Sequence, residues 1–340
     1  MGRLIKDVNA LSIFLPVKEV ILKRYSKNPI LTPKLDNWWE SKAVFNCGIL
    51  YDGIKIHMLY RAVGEYEKYI SRVGYAYSTD GVTFVRRNDL AIAPDVEYEK
   101  FGIEDPRLIR IDSHDYLVYV VPSKYVREGP QTSSALATTS DYRIFTRLGM
   151  ITKQADDDKD VVFFPHKVDI SSNGKGTNSY FSLHRPSSWV GKDYGADRPS
   201  IWLGEGDSLM TCRKYSLLLS PRSDWEELKV GAGPPPIKTS YGWLVIYHGV
   251  SDDRVYRAGA ALLDLKRPDK ILARTRRPIL QPEESYEKYG DVNDVVFPTG
   301  ACVLGRRLFV YYGAGDKVCC LATAELESFI NHIKKDSYEK

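Results

Sequence analysis

Apolar and polar residues alternate along most of this chain in short runs, punctuated by Gly, Asp, Asn and Pro. Alternation with period two, broken by turn residues, predicts strands rather than helices. One hairpin type recurs: an apolar strand, a polar or glycine turn, then an aromatic-rich strand ending on a polar group. The copies are GILYDGIKIHMLYRA, RLIRIDSHDYLVYVV, HKVDISSNGKGTNSYFSLHRP, PPIKTSYGWLVIYHG and ACVLGRRLFVYYGAGD. With Tyr60, Tyr119, Leu183, Tyr247 and Tyr311 as markers, they lie 59, 64, 64 and 64 residues apart. A second strand pair follows most copies, as in VGYAYSTDGVTFVRR and SALATTSDYRIFTRL. Long helical periodicity is scarce, and ATAELESFINHIKK, residues 322–335, is the best helix.

Five copies of about four strands predict an all-β fold, a five-bladed β-propeller with a short C-terminal helix. The repeat sets the expected boundaries: residues 1–23 an N-terminal extension, 24–340 a single propeller domain. The apolar stretch VNALSIFLPVKEVIL stands outside the repeat. It either closes the ring or makes a subunit contact, which leaves a homo-oligomer open.

Composition narrows the function classes. A chain of 340 residues, 43% hydrophobic, can bury a large core, and a net charge of +4 is mild. No basic run has the density that nucleic-acid binding needs. Nothing approaches the ~18 apolar residues of a membrane span. The N-terminal apolar run is flanked too closely by Lys6, Asp7, Lys18 and Glu19 for a secretion signal. A cytoplasmic protein is expected. Cys47, Cys212, Cys302, Cys319 and Cys320 are odd in number and lack C-x-x-C spacing, so they are expected as buried free thiols.

Candidate chemistry starts at FGIEDPRLIRI, residues 101–111, where two acids, a proline and an arginine interrupt a strand pattern. In a propeller the inner strands converge on one funnel, so polar groups at equivalent places in different blades meet. The first blade offers Asn46, Arg61 and Arg72; the second, Glu104, Asp105, Arg107 and Arg147; the third, Lys167, His184 and Arg185. The fourth offers Lys238, His248 and Tyr256, and the fifth Asp316. One or two acids among many cations suit a small anion beside a polyhydroxylated substrate. Arg61 and Arg107 also suit inter-blade ion pairs, and His184 or His248 a satisfied core position. Asp80, Asp141 and Asp264 read as turn residues. DDDKD, residues 156–160, reads as a solvated loop that brings Asp160 near the rim. Adjacent strand residues face opposite ways, so Glu104 and Asp105 are expected to diverge.

Together FGIEDPRLI, DVVFFPHK, SLHRPS, GAGPPPIKTSYGWLVIYHGV, YRAGAALLDLKRPDKILARTRRPILQPE and VVFPTGACVLGRRLFVYYGAGDKV resemble glycoside hydrolase family 130, from about Arg24 to about residue 335. This is a propeller family of β-mannoside phosphorylases and β-1,2-mannosidases. The resemblance implies inverting phosphorolysis of a β-1,2- or β-1,4-linked mannosyl oligosaccharide or disaccharide to α-mannose 1-phosphate. It implies Asp105 as the single acid, protonating the leaving oxygen through the mannosyl 3-hydroxyl. Phosphate would be held by residues matching Arg147, Arg185, His248 and Tyr256, while Asn46, Arg61, Glu104, Arg107 and Asp316 hold the mannosyl ring or support the acid. Lys167 and His184 join the substrate set by their place in the repeat. Inorganic phosphate is the co-substrate; no further cofactor and no metal are implied.

The cation-rich list agrees. An inverting hydrolase needs a second carboxylate to activate water, whereas phosphate is already an anionic nucleophile and needs cations to hold it. A hydrolase of the same family and a non-catalytic glycan-binding propeller are the alternatives. His166 in FFPHK departs from the family pattern, and acceptor choice is left to rim loops 125–133, 187–199 and 283–292.

Overall fold

A computed structural model of the chain describes residues 21–126, 129–170 and 177–339. Residues 1–20 of the expected N-terminal extension, part of the 125–133 rim loop and most of SSNGKGTN lie outside the described residues. The chain folds as five antiparallel sheets arranged as the blades of a propeller. Blade one comprises Ala43–Tyr51, Ile56–Val63, Arg72–Ser78 and Val85–Arg86; blade two comprises Glu104–Ile111, His114–Val126, Gly129–Thr139 and Thr146–Met150. In blade three Asp158–Phe163, Thr177–Pro186, Ile201–Gly206 and Lys214–Leu219 follow in order, and Val168–Ile170 also pairs with the second strand. Blade four is built likewise from Lys229–Ala232, Gly242–Val250, Tyr256–Leu263 and Ile271–Arg274, with Ile237–Thr239 added on the second strand. Blade five joins Val296–Leu304, Arg307–Ala314 and Val318–Glu325 to Lys23–Arg24, so the N-terminal strand closes the ring against C-terminal sequence.

Strand alternation serves the blade interfaces. Leu117 and Tyr119 pack toward blade one, while Val118 between them packs toward blade three. Both faces of a sheet are thereby buried, which is why the runs read as strongly apolar. The helix is Leu326–Lys335, shorter than 322–335, because Ala322–Glu325 complete a ladder with Arg307–Val310. Glu325 then caps it, its side chain accepting from Ser328 N. A second helix, Ser285–Lys288, carries a capping box formed by Glu284 and Glu287.

One reading of blade three changes. DDDKD is no solvated loop: Asp158–Asp160 begin the innermost strand of blade three. Pro165 and Pro234–Pro236 lie where the two innermost strands break before pairing resumes, since proline brings no N–H to a ladder. Asp80, Asp141 and Asp264 do shape turns, each carboxylate accepting from two backbone N–H groups.

A polar motif repeats under the apolar one. In blades one, two, four and five a fully buried glutamate, placed before the innermost strand, accepts from a tyrosine of the second strand and pairs with an arginine of the outermost. The sets are Glu40, Tyr60 and Arg86; Glu99, Tyr119 and Arg147; Glu226, Tyr247 and Arg274; and Glu287, Tyr312 and Arg24. Blade three breaks the rule. His184 and Tyr215 stand at the ladder positions of the tyrosine and arginine, with Asp158 on His184.

Candidate active site

A β-bulge recurs in the innermost strand of blades one, two and three, and each places a polar residue in the left-handed region. Register slips between Phe45 and Gly48, between Glu104 and Arg107, and between Lys159 and Val162. Asn46, Asp105 and Asp160 occupy these bulges at φ of 48°, 45° and 61°. Asn and Asp tolerate that conformation better than other residues with a Cβ, and a bulge re-aims its side chain. Asp316 turns at φ 48° in the last hairpin of blade five. All four line one cavity of about 160 Å³.

Arg61 organises one sector of the cavity. Its guanidinium donates to Glu104 Oε1 at 2.6 Å, to Asp105 Oδ1 at 3.2 Å and to Ser71 Oγ at 2.8 Å. Asn46 Nδ2 donates to the same Asp105 oxygen at 2.8 Å, so Oδ2 is not engaged by this pair. The expected divergence of Glu104 and Asp105 does not occur, because the bulge brings both carboxylates onto Arg61. Burial pushes Asp316 up to about 7, with Arg61 opposing and the charges of Asp105 and Glu104 adding. Burial likewise raises Glu104 against the pull of Arg61. Gly313 makes room for Asn46: a Cβ there would stand 1.9 Å from Asn46 Oδ1. That buried oxygen has no hydrogen-bond partner within the protein.

The other sector is cationic, built by Lys159 and Arg185 of blade three and Lys229, His248 and Tyr256 of blade four. Arg185 Nε donates to Asp160 Oδ2 at 2.7 Å, and His248 Nε2 lies 3.8 Å from the same oxygen. Burial works against the Asp160 carboxylate, but Arg185 and Arg107 outweigh it and hold the group well below the usual range. Lys229 Nζ donates to Tyr256 OH at 3.0 Å. Burial, with Arg185 and Lys159 nearby, lowers Lys229 to about 7. Burial also lowers His248 to about 3 despite Asp160, so its ring is neutral, and buried Nδ1 lacks a partner.

The structure therefore brings Asn46, Arg61, Glu104, Asp105, Arg185, His248, Tyr256 and Asp316 together. Arg107 lies just beneath, donating to the Asp105 and Gly233 carbonyl oxygens at 2.9 and 2.8 Å over the Phe297 ring. Five expected residues lie elsewhere. Arg72 donates to the Ile70 carbonyl oxygen at 3.0 Å over the Trp38 ring, and Lys238 is exposed, its ammonium 5.8 Å from the Trp243 ring centroid. Arg147 belongs to the buried set of blade two, 3.1 Å from Glu99 Oε1. Lys167 is exposed, its ammonium 4.5 Å from the Tyr180 ring centroid. His184 is buried on Asp158 and Ser182, outside the cavity lining. His166 is exposed and also outside it.

The sequence reading missed Lys159, Lys229 and Phe297, and placed Asp160 only at the rim; all four line the cavity. A signal existed: Lys159–Asp160 sit opposite Arg185 as Phe45–Asn46 sit opposite Arg61. Four carboxylates are present rather than one or two, but Glu104 and Asp105 share Arg61 and Asp160 is paired with Arg185.

The glycoside hydrolase 130 family model, described as β-1,4-mannooligosaccharide phosphorylase, matches residues 19–335. A 1,2-β-oligomannan phosphorylase of Thermoanaerobacter sp. (strain X514) is 38% identical over 312 residues, 90% of this chain and 98% of its own. A β-1,2-mannobiose phosphorylase of the same organism is 36% identical, with the same coverage. Among solved structures, the β-1,2-mannobiose phosphorylase of Listeria innocua in complex with β-1,2-mannobiose superposes with a TM-score of 0.79 at 28% identity. That match covers 92% of this chain and 99% of the other.

Proposed function

The chain belongs to glycoside hydrolase family 130, and from that premise we propose how its cavity divides the work of phosphorolysis. The reaction is cleavage of a β-mannoside by inorganic phosphate, with inversion to α-mannose 1-phosphate. One observation carries the assignment: cations of blades three and four share a single cavity with a carboxyl held by blades one and two.

Asp105 is the proton donor. Asn46 and Arg61 grip Oδ1, which leaves Oδ2 to protonate the leaving oxygen through the mannosyl 3-hydroxyl. Asp316 and the unpartnered Asn46 oxygen hold mannosyl hydroxyls. Lys159, Arg185, Lys229, His248 and Tyr256 hold phosphate: the cations offset its charge as it meets the anomeric carbon, and neutral His248 donates a directional bond. Glu104 and Arg107 position these groups. No second carboxylate is needed to activate water, because phosphate is the nucleophile. The linkage we assign is β-1,2, which the names of three relatives share.

The test combines β-1,2-mannobiose, phosphate and a coupled readout of mannose 1-phosphate. Asp105→Asn should lower kcat by about 10³-fold, within the range for general-acid loss, with an unchanged melting temperature. Phosphate removal should end turnover, and β-1,4-mannobiose should give a kcat/KM at least tenfold lower. Undiminished release of free mannose without phosphate, or near-full activity of Asp105→Asn, would sink this reading.

A further inference from the structure

Blade three departs from the Glu–Tyr–Arg motif, and its replacement leads to a thiol. Four of the five cysteines are buried, as expected; Cys212 is partly exposed. It lies in the hairpin between Ile201–Gly206 and Lys214–Leu219. Its Sγ stands 3.6 Å from Ser182 Oγ and 3.7 Å from His184 Nε2. Ser182 Oγ is 2.8 Å from His184 Nε2, and His184 Nδ1 is 2.8 Å from Asp158 Oδ2. Asp158, His184 and Ser182 are buried, so a polar chain runs from the interior to the sulfur of a partly exposed cysteine. Tyr215, at the position of the missing arginine, places its ring edge-on to His184 at 5.1 Å.

Both the sequence and the packing accommodate this group. Ser182 and His184, two apart on one strand, share a face. The neighbouring strand supplies Gly204, where a Cβ would lie 2.8 Å from Ser182 Oγ, 2.9 Å from Cys212 Sγ and 3.0 Å from His184 Cδ2. Any larger residue would push the chain apart. The electrostatics point the same way. Burial disfavours the imidazolium, but Asp158 outweighs it and raises His184 to about 10. Burial also disfavours the Cys212 thiolate, yet contacts with His184, Ser182 and Tyr215 outweigh it and lower the thiol. A thiolate beside an imidazolium is the reactive form of cysteine.

We propose that Cys212 is a thiol-modification site that reacts with hydroperoxides and is primed by the Asp158–His184–Ser182 chain. The thiolate attacks a peroxide oxygen; the S–O bond forms as the O–O bond breaks. Sulfur loses two electrons and the peroxide gains them. The departing alkoxide, or hydroxide from hydrogen peroxide, takes a proton from His184 by way of Ser182, leaving a sulfenic acid. His184 thereby gives up the proton that it held against Asp158. Asp158 transmits the disturbance, because its other oxygen accepts from Arg185 N at 2.9 Å. Oxidation therefore loosens Arg185, and this last step alone rests on the phosphate role assigned above.

The test treats the full-length protein with a small excess of hydrogen peroxide at pH 7, traps sulfenic acid with dimedone and locates it by peptide mass spectrometry. Cys212 should react before the four buried cysteines and faster than the cysteines of the urea-unfolded chain. An ordinary thiol is only a few per cent ionised at this pH, so His184→Gln and Ser182→Ala should each slow Cys212 by roughly tenfold. Ser182→Ala keeps the test alive if the histidine variant does not fold. Oxidised protein should show a KM for phosphate at least threefold higher, restored by dithiothreitol. Cys212→Ser should keep normal turnover and ignore peroxide. A rate equal to that of the unfolded chain, or one unmoved by both variants, would reduce Cys212 to an ordinary exposed thiol and overturn the site. A full sulfenic adduct with unchanged KM would overturn the link to Arg185. Because labelling needs no turnover, failure here is separate from failure of untreated protein to consume phosphate.

Discussion

Lys229 holds an ammonium group among like charges, with Arg185 and Lys159 close by and Tyr256 as its hydrogen-bond acceptor. Its lowered value, about 7, means the charge is present below neutrality and lost as pH rises through 7. If that charge holds phosphate, KM for phosphate should climb between pH 6 and 8 beyond what phosphate's own ionisation produces. Lys229→Arg keeps a permanent charge and should flatten the climb, so the ratio of the two profiles isolates the lysine. Parallel profiles would remove Lys229 from the pH dependence. At this scale the sequence was informative where a motif was dense, as in EDPR; it gave Lys159 only as part of the charged run DDDKD and gave nothing for Lys229. Their importance comes from the bulge and from blade packing, neither of which leaves a local composition signal.

At the scale of the element, Arg147 shows how a repeat can mislead. It closes the outer strands of blade two and is an arginine in the right motif order, so it suggested a phosphate ligand. The ladder instead gives it the place of Arg86 and Arg274, each paired with a buried glutamate. Glu99 is fully buried, whereas the Arg147 side chain is about a fifth exposed. Arg147→Met should therefore cost about 2–3 kcal/mol, below the ~3–5 kcal/mol of a fully buried pair. Urea unfolding would measure that loss, while KM for phosphate stays unchanged. A raised KM without loss of stability would restore the ligand role. The bulges teach the converse lesson. Strict alternation separates Glu104 from Asp105, and one extra residue in the strand puts both on Arg61.

For the whole molecule the decisive contact is closure. Lys23–Arg24 pair with Ala322 and Thr323, and Arg24 reaches Glu287, Glu283 and the Gln281 carbonyl. That pairing completes blade five from both ends of the described chain, and the propeller keeps only the short, protected edges of its blades. Arg24→Met should lower the melting temperature by several degrees, since it leaves the buried Glu287 carboxylate without its cation, held by Tyr312 OH and the Glu283 and Glu284 N–H groups. Arg306→Met, on a side chain 84% exposed, should change it by less than one degree. Equal effects would show that closure does not depend on this arginine.

Strand content, five blades, a terminal helix and the family were all legible in the sequence, because each is written in periodicity or contiguous motifs. The identity of Asp105 as a candidate acid was legible for the same reason. The membership of the anion-binding wall, the sharing of Arg61 by two adjacent acids and the route from Asp158 to Cys212 were decided only by tertiary structure. Each depends on which residues from different blades meet in space, and a one-residue bulge or a shifted ladder position changes that meeting without altering the pattern along the chain.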